Sequence, residues 1–497
     1  MDGDVFISIS RGAIFEGAIS AAAFASEGVF GTIRVFERRE TPGGTWIYDA
    51  DPKSPEQFFP GKLPPDVDPQ LDIPRGDFPT FTTPTEQQRF DRTPIYSELT
   101  TNVPEIAMSF SDVRFAYGPF VPHWIPKQYV QDYFSSHGAD GFLALNTSVE
   151  DVSRISAAGA TKDRWRLTLR RYDPVAKLDL WWREEFDAVV IANGHYSVPF
   201  IPEVKGLSEY MEKYPGRVTH SKFYRSTTNF IKKRVLIIGN SASGHDITTL
   251  LVRSGTTQLP VYQSRRSRSR WDGEEPPDGI SWKPIIREYV PSTGEIIFED
   301  NTTLNDIDAI IYCTGYKPSY PFWNIEANGG SPLYSYTENR LQGFYQHTFS
   351  REFPHSIGII GIPRVLTFRS FEYQAIALAR LFSNRNAVPL PPDEEMEKWE
   401  SDRAELVKRE HRPFHGILWE NGETREWFRY LFELSGLPVL EGLGRFPPVL
   451  DKETRWAIEN IKKYPEPSNA GEDGDEGVKD GEWTLVERVK KDSLHFI

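Results

Sequence analysis

The stretch "GNSASG" (239–244) is a turn of small residues between an apolar strand and a helix-like segment. In a βαβ unit such a turn offers backbone N–H groups and a helix N-terminus to a pyrophosphate. Small residues are needed there because a Cβ would occupy the space of the phosphate oxygens. Gly239, Ser241 and Gly244 stand where a dinucleotide-binding turn places its glycines, and Ser243 lies in the same turn. The sequence therefore predicts a nucleotide site at this turn.

The end of the following strand, "LPVYQS" (259–264), indicates which nucleotide binds. An acid at this position accepts the ribose hydroxyls of NAD or FAD, whereas its absence beside an arginine suits the 2′-phosphate of NADP. Ser264 follows Gly239 by 25 positions, and Arg265 comes next. The planar fork of arginine matches a phosphate dianion. The position predicts NADPH, although the cluster "SRRSRSR" (264–270), taken alone, is also typical of a solvated basic turn or a nucleic-acid patch.

A second βαβ pattern lies at the N-terminus. Gly12 and Gly17 have the spacing of the first and third glycines of a dinucleotide turn. Glu37 ends the strand "TIRVFE" (32–37) and follows Gly12 by 25 positions, so this unit has an acid where the other has Ser264. The acid predicts FAD as the cofactor of the first unit.

Ile14 stands at the middle position of this N-terminal turn, where glycine is expected. We expect its branched side chain to clash with the pyrophosphate or to push it outward. One alternative therefore stays open: a flavin-deficient, NADP(H)-binding relative with weak or no activity.

The segment "RRETPGGTW" (38–46) follows Glu37 directly. Its glycine pair allows the backbone to turn back close to a bulky ring system, and its tryptophan offers a flat wall. An ordinary turn beside a core tryptophan is the alternative interpretation. The candidate FAD-binding residues of this segment are Arg38, Gly44, Thr45 and Trp46.

The composition excludes several classes of protein. The 497-residue chain is 39% hydrophobic and carries a formal net charge of -14, which argues against nucleic acid as a partner. Cys313 is the single cysteine, so neither an intrachain disulfide nor a cysteine-based zinc site is expected. No apolar run is long enough to span a membrane, and the acidic N-terminus lacks the features of a signal peptide. We expect a soluble, cytoplasmic protein.

Two similar segments bracket the second βαβ unit, namely "FDAVVIANGHYSVPFIP" (186–202) and "IDAIIYCTGYKPSYPF" (307–322). They predict an α/β protein with two Rossmann-like dinucleotide-binding domains, in which the NADPH domain is inserted into the FAD domain. The predicted boundaries are 1–202 for the first part of the FAD domain, 203–310 for the NADPH domain, 311–463 for the second part of the FAD domain with C-terminal helices, and 464–497 for an acidic, flexible tail.

The segment "YPGRVTHSKFY" (214–224) precedes the NADPH turn and resembles the fingerprint of the flavin-containing monooxygenases, especially fungal ones. Tyr214 replaces the usual phenylalanine. Further stretches resemble family segments in the family's order, and the resemblance covers about residues 30 to 385: "TNVPEIAMSF" (101–110), "YCTGYKPSYPF" (312–322), "FYQHTFS" (344–350) and "FEYQAIALAR" (371–380).

The resemblance implies an N,N-dimethylaniline monooxygenase-like reaction. In that family NADPH reduces FAD, the reduced flavin takes up O₂ to give a C4a-hydroperoxide, and a nitrogen or sulfur centre of a small molecule attacks it. The flavin carries the difficult step, so no nucleophile–base triad is required. Related Baeyer–Villiger ketone monooxygenases usually end the fingerprint with Trp-Pro; Tyr224-Arg225 favours the heteroatom-oxidising branch, and the ketone activity stays an alternative.

The resemblance also implies roles for further residues. Asn102 is placed near the flavin and the nicotinamide as the candidate catalytic residue, Thr314 at the domain crossing and Gln374 against the isoalloxazine. No metal is assigned to "HRPFH" (411–415), because the proline between its two histidines spoils a helical pair. The expected partners are a small-molecule substrate and O₂, and a homo-oligomer is compatible with the sequence.

Overall fold

The computed structural model describes residues 3–9, 14–52, 58–87, 90, 92–156, 162–363, 365–438 and 442–464. For residues 3–9, 14 and 15 it describes the backbone only.

The helices of the described residues, in chain order, are α1 (Ile14–Glu27), α2 (Pro64–Val67), α3 (Glu105–Met108), α4 (Trp124–Ser136), α5 (Leu207–Lys213), α6 (Ala242–Arg253), α7 (Phe368–Phe382), α8 (Asp393–Arg409), α9 (Glu423–Ser435) and α10 (Lys452–Asn460).

The first strands are β1 (Gly3–Ile9), β2 (Phe30–Glu37), β3 (Thr80–Thr82), β4 (Leu143–Ala144), β5 (Ser148–Arg154), β6 (Trp165–Asp173), β7 (Leu178–Phe186), β8 (Ala188–Ile191), β9 (Val198–Pro199), β10 (Val218–His220), β11 (Arg234–Ile238) and β12 (Gln258–Ser264). The remaining strands are β13 (Ile280–Lys283), β14 (Ile286–Val290), β15 (Glu295–Phe298), β16 (Thr303–Leu304), β17 (Ala309–Tyr312), β18 (Tyr316–Lys317), β19 (Tyr334–Ser335), β20 (Arg340–Leu341), β21 (Phe344–Tyr345), β22 (Phe349–Ser350) and β23 (Ile357–Ile359).

The first large sheet has the strand order β21-β22-β23-β8-β1-β2-β4, and its strands from β23 to β4 pair in parallel. Helices α1 and α7 cover one face, and the antiparallel sheet β3-β7-β6-β5 lies toward the other. Strand β8 shows why: Ala188 and Val190 belong to the core on the helical side, whereas Val189 and Ile191 belong to the core that contains Trp165. A strand buried on both faces is apolar throughout, as parallel strands are.

The second large sheet has the order β10-β17-β11-β12-β13, and all of its strands pair in parallel. Successive residues of β11 again face opposite cores: Val235 packs with Ile247 of α6, whereas Leu236 packs with Tyr289 of β14. Two parallel sheets, each with a strand–turn–helix–strand start, confirm the predicted α/β class with two Rossmann-like units.

The chain crosses between the two sheets at the segments that the sequence singled out. Strand β8 leads into β9 and β17 leads into β18, and β9 and β18 pair antiparallel, with Pro199 opposite Tyr316. The residue boundaries of the domains remain a prediction, and from residue 465 onward the predicted tail lies outside the described residues. Within the described ranges, no helix is both long enough and apolar enough to cross a membrane.

Candidate functional site

The carboxyl ends of the parallel strands carry the predicted cofactor residues. In the first sheet Ile9, the last residue of β1, pairs with Glu37 at the end of β2. In the second, Ile238 at the end of β11 pairs with Ser264 at the end of β12. Open α/β sheets bind their ligands at this edge. The register therefore puts Glu37 and Ser264 in equivalent places, as their spacing predicts.

Glu37 has an unused hydrogen-bond acceptor. Its side chain is 1% exposed, and its Oε1 accepts a hydrogen bond of 2.8 Å from the backbone N–H of Arg39. Its Oε2 is buried and has no hydrogen-bond partner among the residues that the structure describes. Burial raises the pKa of Glu37 to about 7. A buried, unpaired carboxylate oxygen is costly unless a ligand donates to it, so the site fits the ribose hydroxyls of a dinucleotide.

Part of the predicted FAD turn lies outside the described residues. This is the case for Gly12 and for the side chain of Ile14, which begins α1, while Gly17 lies buried within α1. The predicted clash between Ile14 and the pyrophosphate therefore stays a prediction.

The Gly43–Gly44 turn after β2 needs its glycines. Both have positive φ angles, 153° and 48°, and a Cβ on Gly43 would lie 2.7 Å from Cγ1 of Ile47. Thr45 and the half-buried Trp46 continue the turn as a short 3-10 helix. Next to this end of β2 lies a cavity of about 860 Å³, lined in part by Arg38. Arg38 thus lies at the carboxyl edge where the sequence predicts FAD, and Thr45 and Trp46 lie in the turn that follows this edge.

The predicted NADPH turn also excludes side chains at its glycines. Gly239 has a φ of 109°, and a Cβ there would lie 2.9 Å from the carbonyl oxygen of Cys313. A Cβ on Gly244 would lie 2.1 Å from the carbonyl oxygen of Gly239. Ser241 is the N-cap of α6 and makes no side-chain capping hydrogen bond. Its exposed hydroxyl and that of the half-buried Ser243 lie at the helix end that favours anions.

The two residues predicted for the 2′-phosphate lie in different surroundings. Ser264 is 4% exposed, and its hydroxyl donates a hydrogen bond of 2.7 Å to the carbonyl oxygen of Pro284. Arg265 is half-buried, and its guanidinium lies 3.4 Å from the centre of the Trp282 ring. The contact of both residues with a phosphate stays a prediction, and Arg265 is the better placed of the two to donate.

Sequence reasoning missed Asp272, which organises this basic turn. One of its carboxylate oxygens accepts hydrogen bonds from Arg265 at 2.8 Å, from the side chain of Asn240 at 2.7 Å and from the backbone N–H of Ser269 at 2.9 Å. These donors hold the pKa of Asp272 below its ordinary value, against the effect of burial. Asp272 thereby joins the turn after β11 to the turn after β12. No local pattern distinguishes it from the acids that follow it.

The fingerprint segment contributes structural contacts rather than acid–base chemistry. His220 is fully buried, its Nδ1 accepts from the backbone N–H of Lys222 at 3.1 Å, and its Nε2 donates to the carbonyl oxygen of Gly315 at 3.0 Å. Burial lowers its pKa to about 3, so the ring is neutral. Its position ties β10 to the crossing after β17.

A family model described as "FMO-like: Flavin-binding monooxygenase-like" matches residues 76–270 and 278–414. The chain belongs to this family. It is a flavin-containing monooxygenase, and the family implies FAD as its cofactor. The match begins after the N-terminal βαβ unit, so that unit is assigned by the fold and by Glu37.

Relatives and solved structures agree with the family. The chain is 30% identical over 398 residues to the flavin-containing monooxygenase FMO GS-OX-like 4 of Arabidopsis thaliana, covering 78% of this chain and 77% of the relative. It is 27% identical to the flavin-containing monooxygenase iboF of Amanita muscaria, covering 72% and 75%. The structure of S-allyl-L-cysteine S-oxygenase from Allium sativum superposes with a TM-score of 0.70 at 24% identity, covering 93% of each chain, and so shares the fold.

Three further candidate residues of this monooxygenase occupy different environments. Asn102 is exposed, just before α3. The Thr314 hydroxyl donates 2.5 Å to the carbonyl oxygen of Phe200, across the crossing. Gln374 is fully buried; its Oε1 accepts from the backbone N–H of Gly361 at 3.2 Å, and its Nε2 donates to Thr348 at 2.8 Å. Thr314 therefore ties the two crossing segments together, and Gln374 joins α7 to residues 348 and 361. The contact of Thr314, Gln374 and Asn102 with a cofactor stays a prediction.

Cys313 lies at the end of β17, beside the NADPH turn. It is buried, and burial raises the pKa of its thiol to about 12. A thiol in this state is a poor nucleophile. Cys313 is therefore a small packing residue of this flavin monooxygenase.

Proposed function

We propose that this flavin monooxygenase uses NADPH and FAD to transfer one oxygen atom of O₂ to a nitrogen or sulfur centre of a small molecule. One protein of the same fold supports oxygenation at sulfur, since the Allium sativum protein is an S-oxygenase of S-allyl-L-cysteine.

The observation that carries the proposal is the arrangement of the two carboxyl edges. One holds Glu37 with an unpaired carboxylate oxygen, and the other holds the Gly239–Gly244 turn, which leaves no room for a Cβ. The β9–β18 pair joins the two sheets between these edges. Each edge thus supports one dinucleotide site in the proposal, since open α/β sheets bind ligands at their carboxyl edges.

In this proposal the side chains and backbone of the protein bind and orient the two dinucleotides. Glu37 accepts from a ribose, the backbone N–H groups at the start of α6 bind a pyrophosphate, and Arg265 donates to a 2′-phosphate. Asn102 is exposed just before α3, and its amide is the candidate group for contact with the cofactors. When bound, FAD supplies the oxygen-activating redox chemistry.

Spectroscopy and product analysis test this function. The purified protein should carry a flavin absorbance or acquire it when FAD is added, and NADPH should bleach that absorbance anaerobically. With O₂, a thioether or a tertiary amine should give a product heavier by one oxygen atom. Protein that stays colourless with added FAD would favour the flavin-deficient alternative. Esters formed from ketones, with no N- or S-oxide, would favour the Baeyer–Villiger alternative.

A further inference from the structure

The last described residues of the chain cross from one unit of the molecule to the other. Helix α10 ends at Asn460 and packs against α3. Helix α3 begins three residues after Asn102 in the chain. The next four residues, 461–464, reach α6, the helix that begins at the NADPH turn. The predicted boundary between the FAD domain and the flexible tail, at residues 463 and 464, falls within this segment.

The contact centres on Asp246, in the first turns of α6. Its two carboxylate oxygens accept hydrogen bonds from the hydroxyls of Tyr96 and Tyr464. The amine of Lys463 lies 3.6 Å from one of them, with the Asp246 side chain 15% exposed and that of Lys463 13% exposed. Charge-assisted hydrogen bonds in a site so poorly hydrated are stronger than those on a surface.

Lys463 also bonds the strand-like segment that precedes Asn102. Its Nζ donates to the carbonyl oxygen of Thr100 at 3.2 Å. The same amine therefore contacts Asp246 of the NADPH unit and the backbone two residues before the candidate catalytic residue. Tyr96, which donates to Asp246, belongs to this segment too.

The ring of Tyr464 covers the amino end of α6. Its centroid lies 4.7 Å from that of His245, which directly follows Gly244, and 5.6 Å from that of Trp271, next to Asp272. Tyr464 thus packs against both turns that form the proposed NADPH site.

We propose that Lys463 and Tyr464 form a latch that holds the NADPH turn and α6 against the segment carrying Asn102, and so position NADPH for reduction of the flavin. They are positioning residues, and the inference rests on the proposed use of NADPH.

Three variants of the FAD-loaded protein test the latch: Tyr464→Phe, which keeps the ring and removes the hydroxyl, Lys463→Met, and the two combined. Hydrogen exchange followed by mass spectrometry should show faster exchange of residues 242–250 and 96–102. The KM for NADPH should rise about two- to tenfold in each single variant, the range expected for one hydrogen bond, and further in the double variant. FAD content should not change. Lys463→Arg keeps the positive charge, so its exchange rates and its KM for NADPH should lie closer to wild type than those of Lys463→Met.

Lys398→Met is the matched control, because the Lys398 amine pairs with Asp402 at 2.6 Å on the exposed surface of α8. Wild-type exchange in both segments of the double variant, at full FAD content, would overturn the latch. If NADPH fails to reduce the FAD of the wild-type protein, the NADPH assignment is wrong, and the positioning role of Lys463 and Tyr464 is wrong with it. The exchange experiment needs no NADPH, so it distinguishes that failure from the absence of the contact.

Discussion

Among single residues, Arg265 carries the proposed preference for NADPH over NADH. Asp272 and Trp282 hold its guanidinium at the end of β12. An arginine fixed in this way has lost most of its conformational freedom before a ligand arrives, so its hydrogen bonds to a phosphate cost little entropy.

Arg265→Ala should raise the KM for NADPH about ten- to a hundredfold, as expected for hydrogen bonds to a charged group, and leave that for NADH nearly unchanged. Steady-state kinetics with both nucleotides measures this. Arg287→Ala is the control, because Arg287 pairs with Asn301 on the β14–β16 sheet, away from the turn. An equal loss with both nucleotides would refute the assignment of Arg265 to the 2′-phosphate.

Glu16 links the stability of the protein to pH. It is 4% exposed in the first turn of α1, and burial raises its pKa from 4.5 to about 8. Between these values the unfolded chain has lost a proton that the folded protein keeps, so the free energy of unfolding falls as the pH rises.

Glu16→Gln should remove this contribution, which amounts to at most about 5 kcal/mol. The variant should gain stability relative to wild type as the pH rises from about 5 to 8, measured by urea unfolding at each pH. Glu37, with a pKa near 7, contributes the same pH dependence to the free energy of unfolding of both proteins. The difference in stability between wild type and Glu16→Gln therefore isolates the contribution of Glu16. Parallel curves for the two proteins would show that Glu16 is ionised in the fold.

At the scale of elements, the start of α6 depends on the close approach of its own turn. Gly244 has no positive φ, so the cost of a side chain there is steric: its Cβ would meet the carbonyl oxygen of Gly239 at 2.1 Å. Gly244→Ala should therefore destabilise the protein by about 1–3 kcal/mol and raise the KM for NADPH. Thermal unfolding and steady-state kinetics measure the two effects.

Gly141→Ala is the matched control for Gly244→Ala, because a Cβ there meets no atom within 4 Å and its φ is not positive. It should leave both the unfolding temperature and the KM close to wild type. If the two variants were equally stable, α6 would accommodate the Cβ of Ala at residue 244 by a shift that costs no free energy of unfolding, and the steric argument would be wrong.

At the scale of the whole molecule, Arg225 joins the fingerprint to the part of the first unit that lies between β2 and α3, at Asp49 and Thr93. It is 4% exposed and donates to four carbonyl oxygens: those of Asp49 at 2.6 Å, Lys222 at 2.8 Å, Tyr224 at 2.7 Å and Thr93 at 2.8 Å. A proline at this position has no donor for any of them. The contacts give a structural reason for the arginine that distinguishes this chain from the Trp-Pro pattern.

Arg225→Met should lower the free energy of unfolding by about 3 kcal/mol or more, because it leaves several buried acceptors without a donor. Arg225→Lys should recover only part, since an ammonium cannot reproduce the planar fork. Arg429→Met is the surface control, and its exposed pair with Glu433 should be worth less than about 1 kcal/mol. Urea unfolding measures all three, and matching values for Arg225→Met and Arg429→Met would contradict the bridging role.

The two βαβ units, their order and the places of Glu37 and Arg265 follow from the sequence alone. Each is a local pattern: an apolar strand, a turn of small residues, a helix, and a second strand at a fixed distance. Parallel pairing then puts residues of equal offset at the same edge, and the pairs Ile9–Glu37 and Ile238–Ser264 confirm this.

The tertiary structure decided what the side chains at that edge can do. It commits the Ser264 hydroxyl to Pro284, 20 residues away, and it brings Tyr464 to Asp246 across 218 residues. In the same way, the Gln374 amide is hydrogen-bonded to Gly361 and Thr348. Hydrogen bonds between residues distant in the chain leave no periodicity or spacing in the sequence, because their partners are chosen by how the elements pack. The sequence by itself predicts the edges where the cofactors bind, and the packing determines which groups at those edges remain available.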